Sequence, residues 1–304
     1  MDVVADVADV RRRLAAAPTP VGLVPTMGAL HAGHLTLVAA AHERCATVVV
    51  SVFVNPLQFG PNEDLAGYPR DLPGDLDKLR AAGVDLVFTP DADAFTPGGL
   101  ATTVSVSGVT EMLEGASRPG HFDGVATIVT KLLHVIQPAV ACFGEKDYQQ
   151  LIMIRRMVAD LNLPVEIAAV PIVRDVDGLA LSSRNAYLSA DERRRALALS
   201  AALRHTADAW TGDADAARAL LRAVLEAAPG VAVDYADVVD EHTLVALQDE
   251  GHRAARAVVA ARVGSTRLID NSVLSLRSTP DGPGVRATGS GPGVRPTPDG
   301  PEAQ

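Results

Sequence analysis

The sequence predicts an α/β protein: a doubly wound parallel sheet over residues 1–175, then a smaller α+β domain over 176–275. Three observations support this. Apolar runs rich in β-branched residues recur at 21–24, 47–54, 84–89, 139–143 and 165–173, and helical patterns fill the intervals at 34–45, 74–82, 124–137 and 148–162. The runs are also continuous rather than alternating, as in strands buried on both faces of a parallel sheet. Strands joined by helices in this order give the doubly wound topology.

At the start of the chain, Val3, Val7, Val10 and Leu14 fall at three- and four-residue steps and predict one amphipathic helix over 2–17, ended near Pro18. A short apolar strand is expected near 103–107. After Asn185 the texture changes to a long Arg- and Ala-rich helix from Ser189 to about Trp210 and another over 213–228. Strands at 231–239 and 254–262 and a short segment at 267–270 close this half. From Leu276 the chain holds six prolines and six glycines, and the Thr279–Pro283 sequence recurs at 297–301. So few large apolar residues cannot offset the ordering entropy, and 276–304 is predicted to be disordered.

Composition narrows the function classes. No apolar run approaches the roughly 18 residues of a membrane span, and acids precede Arg11-Arg12-Arg13, unlike a signal or transit peptide, so no membrane association and a cytoplasmic location are expected. Cys45 and Cys142 lie inside apolar runs and read as core thiols. A net charge of −10 disfavours nucleic acid as a partner, because nonspecific binding needs a basic face, so cations for any phosphate ligand must be gathered locally. Of 27 basic residues only Lys78, Lys131 and Lys146 are lysine. A lysine kept against such drift gains weight where a compact ammonium is useful.

The strongest chemical signal is Val24-Pro25-Thr26-Met27-Gly28-Ala29-Leu30-His31-Ala32-Gly33-His34. It falls at the first strand-to-helix junction, where a doubly wound fold collects ligands and a helix N-terminus favours anions. Gly28 and Gly33 allow close backbone approach, and His31 and His34 can face one phosphate chain. Neutral imidazoles at a helix start suit a pair that gains charge as an anion arrives. Neither a Walker loop nor a strand-linked dinucleotide loop is present. Zinc on His31, His34 and His121 is disfavoured because no carboxylate or cysteine stands at ligand spacing, so no protein-held metal is expected.

This stretch resembles the H-x-G-H signature of the nucleotidylyltransferase superfamily, in the form found in the pantoate–β-alanine ligase family. Four further stretches agree in order: Phe53–Gly60 with Tyr68-Pro69-Arg70, Arg118–Val125, Gly144–Gln150 and Leu181–Asn185. The resemblance covers about 1–275. It implies a Rossmann-like domain that binds ATP and pantoate, a second domain that closes the site, and a homodimer to which the 103–107 strand contributes. The implied reaction condenses (R)-pantoate with β-alanine through a pantoyl adenylate, releasing AMP and pyrophosphate, with Mg²⁺ held mainly by the ATP phosphates.

Carried over residue by residue, His34, His31 and Lys146 are implied to be catalytic. Gly144, Asp147 and Val173 are implied near adenosine. Leu181, Ser182, Ser183 and Arg184 match the second phosphate clamp, and Met27 and Gly28 the first loop. Leu181 stands where the family commonly carries methionine, a volume-conserving change. Gln58 and Gln150 are implied to hold pantoate beside an apolar wall at Met27, and Arg118 and His121 to approach β-alanine or the phosphates. Lys131 reads as snorkelling from a packed helix face. Two other readings stay open at this stage: transfer of a nucleotide to a phosphorylated acceptor, which would want cations in place of the glutamines, and nucleotide sensing without turnover.

Overall fold

The computed structural model describes residues 1–276 except Asn62, Gly99 and Arg253. The predicted tail, apart from Leu276, lies outside the described residues. The first half runs β1 (Asp2–Val4), α1 (Val7–Leu14), β2 (Val21–Thr26), α2 (Ala32–His42), β3 (Thr47–Val52), α3 (Leu72–Ala81), β4 (Leu86–Phe88) and two four-residue helices, α4 (Ala92–Phe95) and α5 (Glu114–Ser117). It continues with α6 (His121–Ile136), β5 (Val140–Gly144), α7 (Tyr148–Asp160) and β6 (Glu166–Val170). The six strands form one parallel sheet in the order β1-β4-β3-β2-β5-β6. Its faces are covered by helices over two apolar layers. Leu23, Val49, Phe88 and Phe143 pack with α6 and α7 on one side, and Val24, Val48, Val50 and Cys142 with α2 and α3 on the other.

The opening segment departs from the single helix expected over 2–17. Asp2–Val4 pairs in parallel with Leu86–Phe88, and the Asp6 side chain then caps α1 by accepting from the Asp9 N–H at 3.0 Å. A cap fixes where a helix starts, so Val3 cannot belong to it, and three residues are too few to show a strand period. No strand forms at 103–107 either. That segment folds back on α6: Val106 is buried and the Val104 N–H donates to Thr127 Oγ1 at 2.9 Å.

The second half holds α8 (Ala190–Asp208), α9 (Ala214–Glu226), β7 (Val231–Val239), β8 (Ala254–Val263) and β9 (Thr266–Ser275). The strands form an antiparallel sheet in the order β7-β8-β9, with Leu199, Leu203, Leu221 and Leu225 of the two helices against Val238, Val259 and Leu274. In place of the short segment expected at 267–270, a ten-residue strand pairs along all of β8. Its mid-strand polar residues hide it in the sequence. Asp270 and Asn271 are buried, Asp270 taking a two-pronged bond from Arg174 at 2.6 and 3.0 Å and Asn271 accepting from Arg256 at 2.6 Å.

Candidate active site

In the large sheet the chain moves outward from β2 through β3 to β4, then returns to the other side of β2 for β5. The crevice at such a reversal, beyond the carboxyl ends of the two strands, is where doubly wound folds bind ligands. The loops after β2 and β5 flank a cavity of about 230 Å³ there. From the first loop it is lined by Met27, His31 and His34, and from the second by Gly144, Lys146 and Asp147. Val173, Leu181, Ser182, Ser183 and Arg184 line it from the connection to the second half, and Gln58, Gln150, Arg118 and His121 also face it. Gly28 does not line it. With φ of +83° it shapes the turn instead, and a Cβ there would stand 3.0 Å from Asp75 Oδ2 and 3.2 Å from Val52 Cγ1.

His31 is the N-cap of α2 and His34 its third residue. The His31 backbone N–H donates to His34 Nδ1 at 3.3 Å. That leaves the ring proton of neutral His34 on Nε2, away from the backbone. The two rings lie 4.1 Å apart between centroids, and His31 Nδ1 is buried with no partner. Loss of solvent on burial is the main reason both imidazoles are neutral in the free protein. His34 is pushed down to about 3 and His31 to about 4, with Lys146 adding to the effect on each. An anion reaching this pair would reverse that balance, as the sequence reading expects of a phosphate site.

Lys146 projects from a one-turn 3₁₀ helix, Glu145–Asp147, directly after β5. The turn is fixed from the other sheet: Asn271 Nδ2 on β9 donates to the carbonyls of Glu145 at 2.9 Å and Lys146 at 3.0 Å. Arg256 lies behind Asn271, stacked 3.5 Å over the Tyr148 ring. The Lys146 ammonium is 3.8 Å from Asp147 Oδ1. Recession into the cavity opposes ionisation of Asp147, and Lys146 and then Arg184 outweigh it, holding its carboxyl below the usual range.

The serine–arginine turn touches the histidine loop directly, Ser183 Oγ donating to the Ala29 carbonyl at 3.1 Å. Ser182 Oγ accepts from the Arg184 N–H at 3.3 Å, which leaves its hydroxyl proton available. The two cavity arginines are each gripped by a carboxylate from one loop. Arg184 binds Asp64 at 2.9 and 3.1 Å, and Arg118 binds Glu63 at 2.7 Å through both Nε and Nη2. Arg118 Nη1 also meets His121 Nε2 at 3.1 Å, and His121 Nδ1 meets the Gln58 carbonyl at 2.9 Å. A guanidinium only donates, so Nε2 accepts and the ring is neutral with its proton on Nδ1. Burial first, then the Arg118 charge, push it down to about 4.

Of the two adjacent glutamines, Gln149 is structural, bonding Glu114, Val109 and Met112 of the neighbouring loop, while Gln150 faces the cavity. Gln58 Nε2 lies 3.2 Å from the Met27 sulfur, and its Oε1 accepts from Asn55 Nδ2 at 2.9 Å. Asn55 and Tyr68 also line the cavity. Both lie in the stretches that carry the resemblance, the one signal available for them, yet the sequence reading gives neither a role. Lys131 stays outside, its ammonium 4.6 Å over the Phe95 ring, as a packed-face lysine should.

Comparison with known proteins agrees with this geometry. The sequence model described as pantoate-beta-alanine ligase matches residues 2–273. Pantothenate synthetase of Mycolicibacterium smegmatis is 56% identical over 273 residues, covering 90% of this chain and 86% of the relative, and that of Roseiflexus sp. is 51% identical with 90% and 99% covered. A crystal structure of pantothenate synthetase from Thermus thermophilus superposes with a TM-score of 0.86 at 49% identity, over 91% of this chain and 100% of that one. Pantoate-beta-alanine ligase from Francisella tularensis, complexed with beta-gamma ATP and β-alanine, does so with 0.75 at 31% identity, over 90% and 97%. A match that runs from β1 into β9 and takes in every loop around the cavity leaves one assignment: the chain belongs to the pantoate–β-alanine ligase family.

Proposed function

We propose that this chain, an enzyme that joins pantoate to β-alanine with ATP, works through an enzyme-bound pantoyl adenylate. One observation carries the reading: the imidazoles after β2, the ammonium after β5 and the serine–arginine turn line one cavity at the sheet's reversal. The pantoate carboxylate attacks the α-phosphorus in line with departing pyrophosphate. The amine of β-alanine then attacks the acyl carbon, and AMP leaves. Neither step needs a protein nucleophile, so catalysis is positioning and charge stabilisation.

His34 Nε2–H donates to the phosphates, and the His31 ring beside it becomes a second donor once an anion favours its protonation. Lys146 spans the α-phosphate and the pantoate carboxylate. Ser182, Ser183 and Arg184 hold the outer phosphates, with Gly144, Val173, Leu181 and the Asp147 carboxylate at the nucleoside. Gln58 and Gln150 hold pantoate beside Met27, and Arg118 and His121 face the β-alanine end. Amide groups rather than free cations on the acceptor side disfavour a phosphorylated acceptor.

No three His, Cys, Asp or Glu side chains converge on a metal position among the described residues. Mg²⁺ would arrive with the ATP phosphates as its main ligands and would neutralise part of their charge. The same reading takes residues 1–175 as the ATP- and pantoate-binding domain and 176–275 as the domain that closes on it. It takes the enzyme as a cytoplasmic homodimer, to be checked by sedimentation. No helix among the described residues is long and apolar enough to cross a membrane.

The adenylate is tested by exchange of labelled pyrophosphate into ATP with β-alanine omitted. Exchange that depends on pantoate supports it. Full pantothenate synthesis without such exchange would refute it in favour of a concerted route, and ATP binding without any turnover would leave a sensor.

A further inference from the structure

Asp75, on α3, is buried at 1% exposure, and no family motif in the sequence includes it. Its carboxylate reaches the loop after β2 from behind the cavity. Oδ2 accepts from the Ala29 N–H at 2.8 Å and Oδ1 from the Leu30 N–H at 2.7 Å. Lys78, one turn along α3, stands 3.6 Å from the same carboxylate and donates to the Leu30 carbonyl at 2.9 Å. Gly28 and Ala29 both have positive φ, +83° and +50°. For alanine that conformation is unfavourable and persists only when its surroundings hold it.

Successive amides that converge on one point form an anion seat, and in many nucleotide loops that seat takes the phosphate. Here an internal carboxylate fills it. The peptide between Ala29 and Leu30 is thereby fixed at both ends, its N–H on Asp75 Oδ1 and its carbonyl accepting from Ser183 Oγ at 3.1 Å. Two residues later His31 caps α2, so the direction of this peptide also sets where the imidazole pair begins.

We propose that Asp75 is a positioning residue of the reaction: it occupies the amide seat, so the loop offers ATP its imidazoles instead of its backbone, and it turns the 29–30 carbonyl onto Ser183. Asp75 touches no substrate. It acts through one peptide on two parts of the phosphate site, and this role rests on the adenylate reading above.

Asp75→Asn keeps the shape of the side chain but leaves one acceptor where two are needed. It should lower kcat for pantoate-dependent pyrophosphate exchange by about 10–100-fold, the scale of a small misplacement of reacting groups, with KM for β-alanine in the full reaction unchanged. Ser183→Ala should cost much less in the Asp75→Asn background than in the wild type, because both act on the same peptide. Gln150→Ala, on the far side of the cavity, should multiply independently.

A second measurement needs no variant. In the wild type the Ala29 and Leu30 amides should be protected from hydrogen exchange in the free protein and gain no protection when ATP is added. Wild-type kcat in Asp75→Asn, simple multiplication with Ser183→Ala, or ATP-dependent protection of those two amides would each overturn the proposal. A wild type without pantoate-dependent exchange would instead refute the adenylate, leaving amide exchange to decide the role of Asp75.

Discussion

The histidine loop after β2 and the lysine turn after β5 stand side by side at the reversal of one parallel sheet, yet they are held in opposite ways. The histidine loop is held mainly from within its own half, by Asp75 and Lys78 of α3. The lysine turn is held across the molecule, by Asn271 of β9, which Arg256 of β8 supports in turn. Imidazoles are held neutral by burial, which needs only the walls of their own half. A flexible lysine has four rotatable bonds and gains most from a rigid base. The second sheet therefore contributes to the site even where its own residues do not line it.

The largest expected effects test whether both groups belong to one phosphate site. Lys146→Ala and His34→Ala should each lower turnover by about 10²–10³ with the fold retained, the scale of losing one charge-stabilising donor. Near-normal turnover in both would break the comparison at its root. Asn271→Ala next tests the cross-molecule support. It strips two carbonyls of a donor and should cost about 1–3 kcal/mol in denaturant unfolding, with kcat falling more than KM for ATP. A stability loss with kcat untouched would show that the turn holds itself.

The pH dependence of stability sharpens the account of the histidine side. His31, His34 and His121 sit near 4, 3 and 4 in the fold against 6.5 ordinarily. The unfolded chain therefore binds more protons as pH falls from about 6.5 toward 4, and stability should drop across that window. His34→Gln should flatten the slope, and equal slopes in the two proteins would mean that His34 is not held neutral by the fold. The smallest effect belongs to Leu181, whose N–H is already spent on the Val173 carbonyl at 2.9 Å. Leu181→Met should change both stability and ATP KM little, within the roughly 1.5 kcal/mol of a volume-conserving exchange.

The three lysines show how far a residue list can be read. Lys146 is singled out by its stretch and lies in the cavity, Lys131 reads as a packed-face residue and lies over Phe95, and Lys78 carries only the scarcity of lysine, with no motif around it, although it bonds the histidine loop. The helix–strand alternation and most of the cavity's lining are legible, because apolar periodicity and short motifs are local in the chain. The split of the first helix, the missing strand at 103–107 and the full length of β9 are not. In each, one cap or a buried polar partner overrides the local pattern.

By itself, then, the sequence determined the parallel α/β half, the order of the loops that meet ligands and the chemistry those loops carry, since each depends on residues within a few positions of one another. Only the tertiary structure decided what holds that chemistry in place. Asp75 reaches Leu30 across 45 positions, Arg184 reaches Asp64 across 120 and Asn271 reaches the Lys146 carbonyl across 125. Contacts that distant leave no periodicity along a chain, and they exist once the apolar layers have closed and brought a carboxylate or amide within reach of the polar groups it satisfies.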